Sequence, residues 1–113
     1  MSKVHKQIDE RHARLAVSMV EYALQVAPNS VLEPKRGTAD TAYARQIAMY
    51  AVYVGFGISL ARVALAFGRD RSTVAYACHQ IEDRRDDPAL DDWLDRFDAA
   101  LKQAATLMAE TAS

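Results

Sequence analysis

The segment Phe67–Glu82 reads FGRDRSTVAYACHQIE. Arg69, Asp70, Arg71, Ser72 and Thr73 stand side by side in it, a run of charges and hydroxyls with no apolar member. Directly after them, Val74, Ala77, Cys78 and Ile81 recur at i, i+3, i+4 and i+7, the spacing of one buried helix face. The opposite face then carries Arg71, Ser72, Ala75, Tyr76 and His79. Hydrogen-bonding groups around one small alanine suit a helix that enters a groove. The major groove of DNA admits an α-helix, and each of these side chains has a partner there. Arginine forks onto guanine, a carboxylate accepts from the cytosine amine, and a threonine methyl packs on the thymine methyl. A helix N-terminus also favours a nearby phosphate. Asp70 has a second possible role as a helix cap, because a carboxylate there accepts free backbone N–H groups.

Other basic and polar residues extend the set. Arg45 and Gln46 fall near the start of a preceding helix, from which Arg45 could reach a DNA backbone or the minor groove. Lys35 and Arg36 lie on a loop and could anchor phosphates. The candidate DNA-contacting residues are therefore Lys35, Arg36, Arg45, Gln46, Arg69, Asp70, Arg71, Ser72, Thr73, Tyr76 and His79.

The elements that must hold these residues are all helical, and no β-pattern or internal repeat is apparent. Ile8, Leu15, Met19, Tyr22, Ala23 and Val26 predict a helix over about 7–26 with that stripe inward. Pro28 ends it or starts a short helical turn through Leu32. The segment EPKRGTAD, 33–40, is the clearest loop. A second helix is expected from about Thr41, capped by Asp40 or Thr41, with Ala44, Ile47, Ala48, Ala51 and Val54 buried. Gly55–Gly57 ends it. Ser59 caps a third helix carrying Leu60, Val63, Ala64 and Phe67 inward, and Gly68 stops it. Two short amphipathic helices joined by a tight glycine turn outline a helix-turn-helix. A last helix follows Asp87 as cap and Pro88 as first helical residue. Its stripe is Leu90, Trp93, Leu94, Phe97, Leu101, Ala104 and Met108.

Composition fits a small all-α domain. The 113 residues carry four Gly and three Pro, and 26% of them are charged. The net charge of −1 conceals an asymmetry: residues 1–85 hold 12 Lys and Arg against 8 Asp and Glu, whereas residues 86–113 hold 2 against 7. A mildly basic body followed by an acidic tail can mark separate partners for the two parts. Two readings of the tail stay open. It packs back on the bundle as a solvated helix, or it serves as a dimer seam or a dock for RNA polymerase or a partner regulatory protein. The expected division is thus 1–85 and 86–113.

Other chemistries find little support. Cys78 is the sole cysteine, which leaves no internal disulfide and no zinc cluster, and it falls on the apolar face. His5, His12 and His79 are scattered. There is no metal-ligand spacing, no Ser/His/Asp set and no Gly-rich phosphate loop, so no enzyme, metal, cofactor or nucleotide is expected. The N-terminal segment has no apolar signal region. The longest charge-free run, between Arg45 and Arg62, falls short of the ~20 apolar residues of a membrane span. A cytoplasmic, nucleoid-associated protein is expected.

The segment ARQIAMYAVYVGFGISLARVALAFGRDRSTVAYACHQIE, Ala44–Glu82, closely resembles the C-terminal DNA-binding domain of the bacterial replication initiator DnaA. ARQIAMY, SLARVALAFG, RDRST and ACHQIE carry the likeness, and VEYALQVAPNSVLEPKRGTAD extends it more weakly upstream. The resemblance covers about Val20–Arg85. It implies that Arg45 enters the minor groove, that Asp70, Ser72 and Thr73 contact bases and phosphates, and that Lys35 and Arg36 belong to a basic loop. Arg71 stands where the family usually has His, one glycine is missing before Arg69, and Tyr53 and His79 replace an expected Lys and Arg. These departures weigh against the standard DnaA box. With no room for an AAA+ domain, the chain resembles stand-alone DnaA-like domains that act as transcription regulators. Among these are activators of phage-like gene clusters in some alphaproteobacteria. A replication-linked protein that competes with the initiator for origin boxes is the alternative. An interaction adapter that kept the fold but lost DNA binding is a third.

Overall fold

A computed structural model describes residues 3–32 and 39–112. Five α-helices make up the described chain: α1 (Lys3–Leu24), α2 (Ala39–Phe56), α3 (Leu60–Phe67), α4 (Arg71–Arg84) and α5 (Pro88–Ala112). The all-α expectation holds.

Helix α2 is the hub, touching each of the other four. Its run of small and medium side chains lets neighbours approach from several directions. Ala44, Ile47, Ala48, Met49, Tyr50, Ala51 and Val52 are all buried. The expected stripe on α2 was narrower, and Val54, assigned to it, is exposed.

Helix α1 corrects the sequence reading. Tyr22 is 89% exposed and Ala23 is also exposed, while Asp9, Ala13, Ala16, Val17, Val20 and Glu21 turn inward. The helix is rotated because two acids hold inward positions. Asp9 accepts a bidentate bond from Arg62 of α3, at 2.9 Å from Nε and 2.8 Å from Nη2. Glu21 accepts from the backbone N–H of Val31 at 3.1 Å. Burying a carboxylate costs much unless it is paired. The helix also stops before Pro28, at Leu24, with Gln25 in the left-handed region at φ 57°.

Helix α5 folds back against α1 and α2 through Leu94, Phe97 and Leu101. The close approach uses Gly55: a Cβ there would lie 3.0 Å from Asp98 Oδ1. Beyond Leu101 the expected stripe loosens, with Ala104 half-buried and Met108 exposed. Asp87 Oδ1 accepts from Ala89 N at 3.0 Å, as its capping position predicts. Arg85 ties the junction, donating to Asp91 Oδ1 at 2.6 Å, to the Tyr50 hydroxyl at 3.1 Å and to Asp95. The Tyr50 hydroxyl in turn donates to Glu82. No helix among the described residues is long and apolar enough to cross a membrane.

Candidate nucleic-acid interface

The turn between α3 and α4 is built by local chemistry. Ser59 Oγ accepts from Arg62 N at 3.1 Å and starts α3. Gly68 takes φ 66°, a geometry that glycine adopts at no steric cost. Gly68 N then donates to Leu65 O at 3.3 Å and Arg69 N to Ala64 O at 3.0 Å, which satisfies the last carbonyls of α3. Two residues separate Gly68 from the first residue of α4.

On α4 the inner face is the expected one: Val74, Ala77, Cys78 and Ile81 are buried. The side chains assigned to the opposite face line the solvent side of the helix. Arg71, Ser72, Thr73, Tyr76 and His79 are exposed, Tyr76 by 61%, and Ala75 is half-buried. His79 Nε2 lies 3.4 Å from Asp83 Oδ2, both on the surface.

Asp70 differs from its expected capping role. It occupies the N-cap position of α4 with an extended backbone, yet its side chain makes no cap hydrogen bond. Its backbone carbonyl accepts from Val74 N at 3.1 Å, so the helix starts without the carboxylate. The exposed carboxylate is left facing outward with Arg71, Ser72 and Thr73.

Arg45 is half-buried and bent toward the connection between α1 and α2. Its Nε donates to the backbone carbonyl of Val31 at 2.9 Å. Its Nη2 is buried and has no hydrogen-bond partner among the described residues. Desolvation, and next the nearby positive charge of Arg69, lower its pKa. Arg69, half-buried in the α3–α4 turn, and Arg45 of α2 thus stand within each other's field. Gln46 beside them is half-buried. Lys35 and Arg36 lie outside the described residues.

The periodicity of α1 missed Glu21, whose carboxylate pins Val31 on the side opposite Arg45. An acid seven residues before a Pro-Asn pair was the available signal. Burial pushes the Cys78 thiol up to about 11, so at neutral pH it stays protonated and inert. Among the described residues no three His, Cys, Asp or Glu side chains converge as a metal site.

Comparison with known proteins agrees with this architecture. The family model described as the bacterial dnaA protein helix-turn-helix matches residues 15–81. A solved crystal structure described as a DNA replication initiation factor superposes with a TM-score of 0.76 at 24% identity, a likeness of fold. The match covers 88% of this chain and 30% of that one, so this chain spans under a third of that protein's length. No curated protein sequence matches. With more than half of its residues inside the family model, the chain belongs to the bacterial DnaA helix-turn-helix family, a family of DNA-binding domains.

Proposed function

We propose that the chain is a sequence-specific regulator of transcription that reads double-stranded DNA through α4, with no catalytic step. The observation that carries this reading is the N-terminal edge of α4. There an uncommitted carboxylate, a guanidinium and two hydroxyls stand exposed in sequence on a helix whose other face is locked in the core. In the major groove Arg71 forks onto a guanine, and Asp70 accepts from a cytosine amine. Ser72 and Thr73 bond phosphate or base. Tyr76 and His79 extend the contact one and two turns further along the groove. Arg69, Arg45 and Gln46 steady the backbone beside it, with Lys35 and Arg36 on phosphates. Residues 1–85 form the DNA-binding part, and 86–113 the helix that braces it. A nucleoid-bound, cytoplasmic location goes with this reading.

The likeness to a DNA replication initiation factor favours a second reading, in which the chain occupies origin sites and competes with an initiator. Genome-wide occupancy by crosslinking and immunoprecipitation separates the two, with an Arg45→Ala, Arg71→Ala double mutant as control. Sharp promoter peaks that vanish in the mutant support the regulator. Peaks confined to the replication origin support the competitor. An absence of mutant-sensitive peaks overturns both and leaves an adapter that kept the fold without DNA binding.

A further inference from the structure

We infer that Glu21 is a positioning residue for Arg45, acting through the backbone of Val31. This rests on the reading of Arg45 as a DNA contact. Glu21, Val31 and Arg45 come from α1, the α1–α2 connection and α2, and they meet in one chain of hydrogen bonds, buried at its Glu21 end. Glu21 Oε2 accepts from Val31 N at 3.1 Å, and Val31 O accepts from Arg45 Nε at 2.9 Å. Glu21 is 7% exposed and Val31 fully buried, so water does not substitute for the Glu21–Val31 bond.

The connection needs such an anchor. It contains two non-glycine residues in the left-handed region, Gln25 at φ 57° and Asn29 at φ 70°. Asparagine adopts that conformation readily, but Gln25 persists in it only where its surroundings hold it there. Glu21 holds the turn twice, since its backbone carbonyl also accepts from Val26 N at 3.1 Å. The Val31 N–H and carbonyl lie in successive peptide planes hinged at Cα, and because the Val31 side chain is fully buried, anchoring its N–H limits the rotation that would swing its carbonyl away from Arg45 Nε. An arginine side chain has several rotatable bonds and loses much freedom when it binds. Tethering Nε beforehand spends that entropy on folding instead of on DNA. It also holds the guanidinium close to Arg69, where the two positive charges repel and a phosphate between them relieves the repulsion.

The test is a double-mutant cycle on the full chain, with duplex affinity measured well below the thermal midpoint of every variant. Glu21→Ala is expected to weaken binding by about tenfold, as the loss of one charge-assisted hydrogen bond implies. Combined with Arg45→Ala it adds less than about twofold, because coupled residues do not add. Glu21→Gln, whose amide oxygen still accepts from Val31, restores binding to near the wild-type value. Additive losses in the double mutant overturn the inference, since Glu21 then acts elsewhere. A second readout needs no DNA: hydrogen exchange of Arg45 Nε–H by NMR. It is expected to be slow in the wild type and fast in Glu21→Ala; unchanged exchange overturns the relay. If the wild-type chain binds no duplex, the proposed function fails, and the exchange measurement still decides whether Glu21 holds Arg45.

Discussion

Asp70 offers a sharp separation of stability from recognition. An aspartate at an N-cap ordinarily donates about 1 kcal/mol to its helix through a side-chain hydrogen bond. Asp70 makes none, so only its favourable position at the positive end of the α4 dipole remains, at about 0.5 kcal/mol for an exposed group. Asp70→Ala should therefore cost about 0.5 kcal/mol in urea denaturation. Ser59→Ala serves as the internal standard: its oxygen does bond Arg62 N at 3.1 Å, so it should cost about 1 kcal/mol. On DNA the order reverses. Losing the acceptor for a cytosine amine should cost about 1–3 kcal/mol on the operator identified by occupancy mapping, and only at one base pair. On unrelated duplex Asp70→Ala should bind slightly tighter than wild type, because a negative charge has left a phosphate-lined surface. Fluorescence anisotropy on both duplexes gives the two numbers. A stability loss above about 1.5 kcal/mol with unchanged base discrimination would refute the reasoning, since Asp70 would then be a cap and not a reader.

Arg71→Ala should relax specificity at one position and cost about 1–3 kcal/mol there, read from a base-substitution panel; equal losses on every duplex would mean that Arg71 contacts only phosphate. Leu101→Ala should destabilise the whole chain by about 2–5 kcal/mol, because Leu101 is fully buried where α5 meets the other helices; a loss below about 1 kcal/mol would show that α5 is not docked. The pH profile of stability should have two shoulders. The pKa of His12, stacked on Phe56 at 3.8 Å, is lowered by desolvation, so stability is full above 6.5 and declines as pH falls below it. The pKa of Cys78 is raised from 9.0 to about 11, and that of Tyr50 is raised from 10.0, both chiefly by burial. Stability is then full below pH 9.0 and falls as pH rises, by up to about 1.4 kcal/mol per pH unit for each group. Cys78→Ala should remove the part of the alkaline decline that begins at pH 9.0 and leave that of Tyr50; an unchanged profile would refute that assignment.

The helix-turn-helix was legible in the sequence because its determinants are local. Val74, Ala77, Cys78 and Ile81 recur at helical spacing, and Ser59 and Gly68 bracket α3 with groups whose preferences depend on a few neighbouring atoms. Helix α1 was legible in extent, and Leu15 and Met19 of its expected stripe do pack on the core, but its innermost face was not, because that face is specified from far along the chain. Asp9 faces inward only because Arg62 awaits it, 53 residues later. Periodicity ranked Tyr22 above Glu21 as a core residue, and the structure buries the acid and exposes the ring. The outward face of α4 was readable as a list of side chains, but their states were not. No pattern of residue types distinguishes an Asp70 that caps from one that does not. Nor does it show that Arg45 is already tethered to a backbone carbonyl.

The same dependence on distant partners explains why net charge is a poor guide here. The acidic residues that bring the chain to −1 are concentrated after residue 85, and most of them are locally matched. Arg85 holds Asp91 and Asp95, Arg96 pairs with Asp92 at 2.8 Å, and Lys102 pairs with Asp98 at 3.0 Å. Exposed pairs of this kind add little stability, but they shorten the reach of the acids involved, although Arg85 with its two aspartates keeps one net negative charge. Helix α5 packs mainly on α1 and α2, and Arg85 at the C-terminal end of α4 holds Asp91 and Asp95 there, at the opposite end of α4 from the face of residues 70–73. A DNA approaching that face is governed by the charges nearest to it, since charges beyond about 8 Å are largely screened at physiological salt. Those nearest on the described chain are Arg69, Asp70, Arg71 and, beside His79, Asp83, with Arg45 behind them. The salt dependence of binding should therefore count the cations of this face and ignore α5, so that neutralising Asp92 leaves the slope of affinity against salt unchanged.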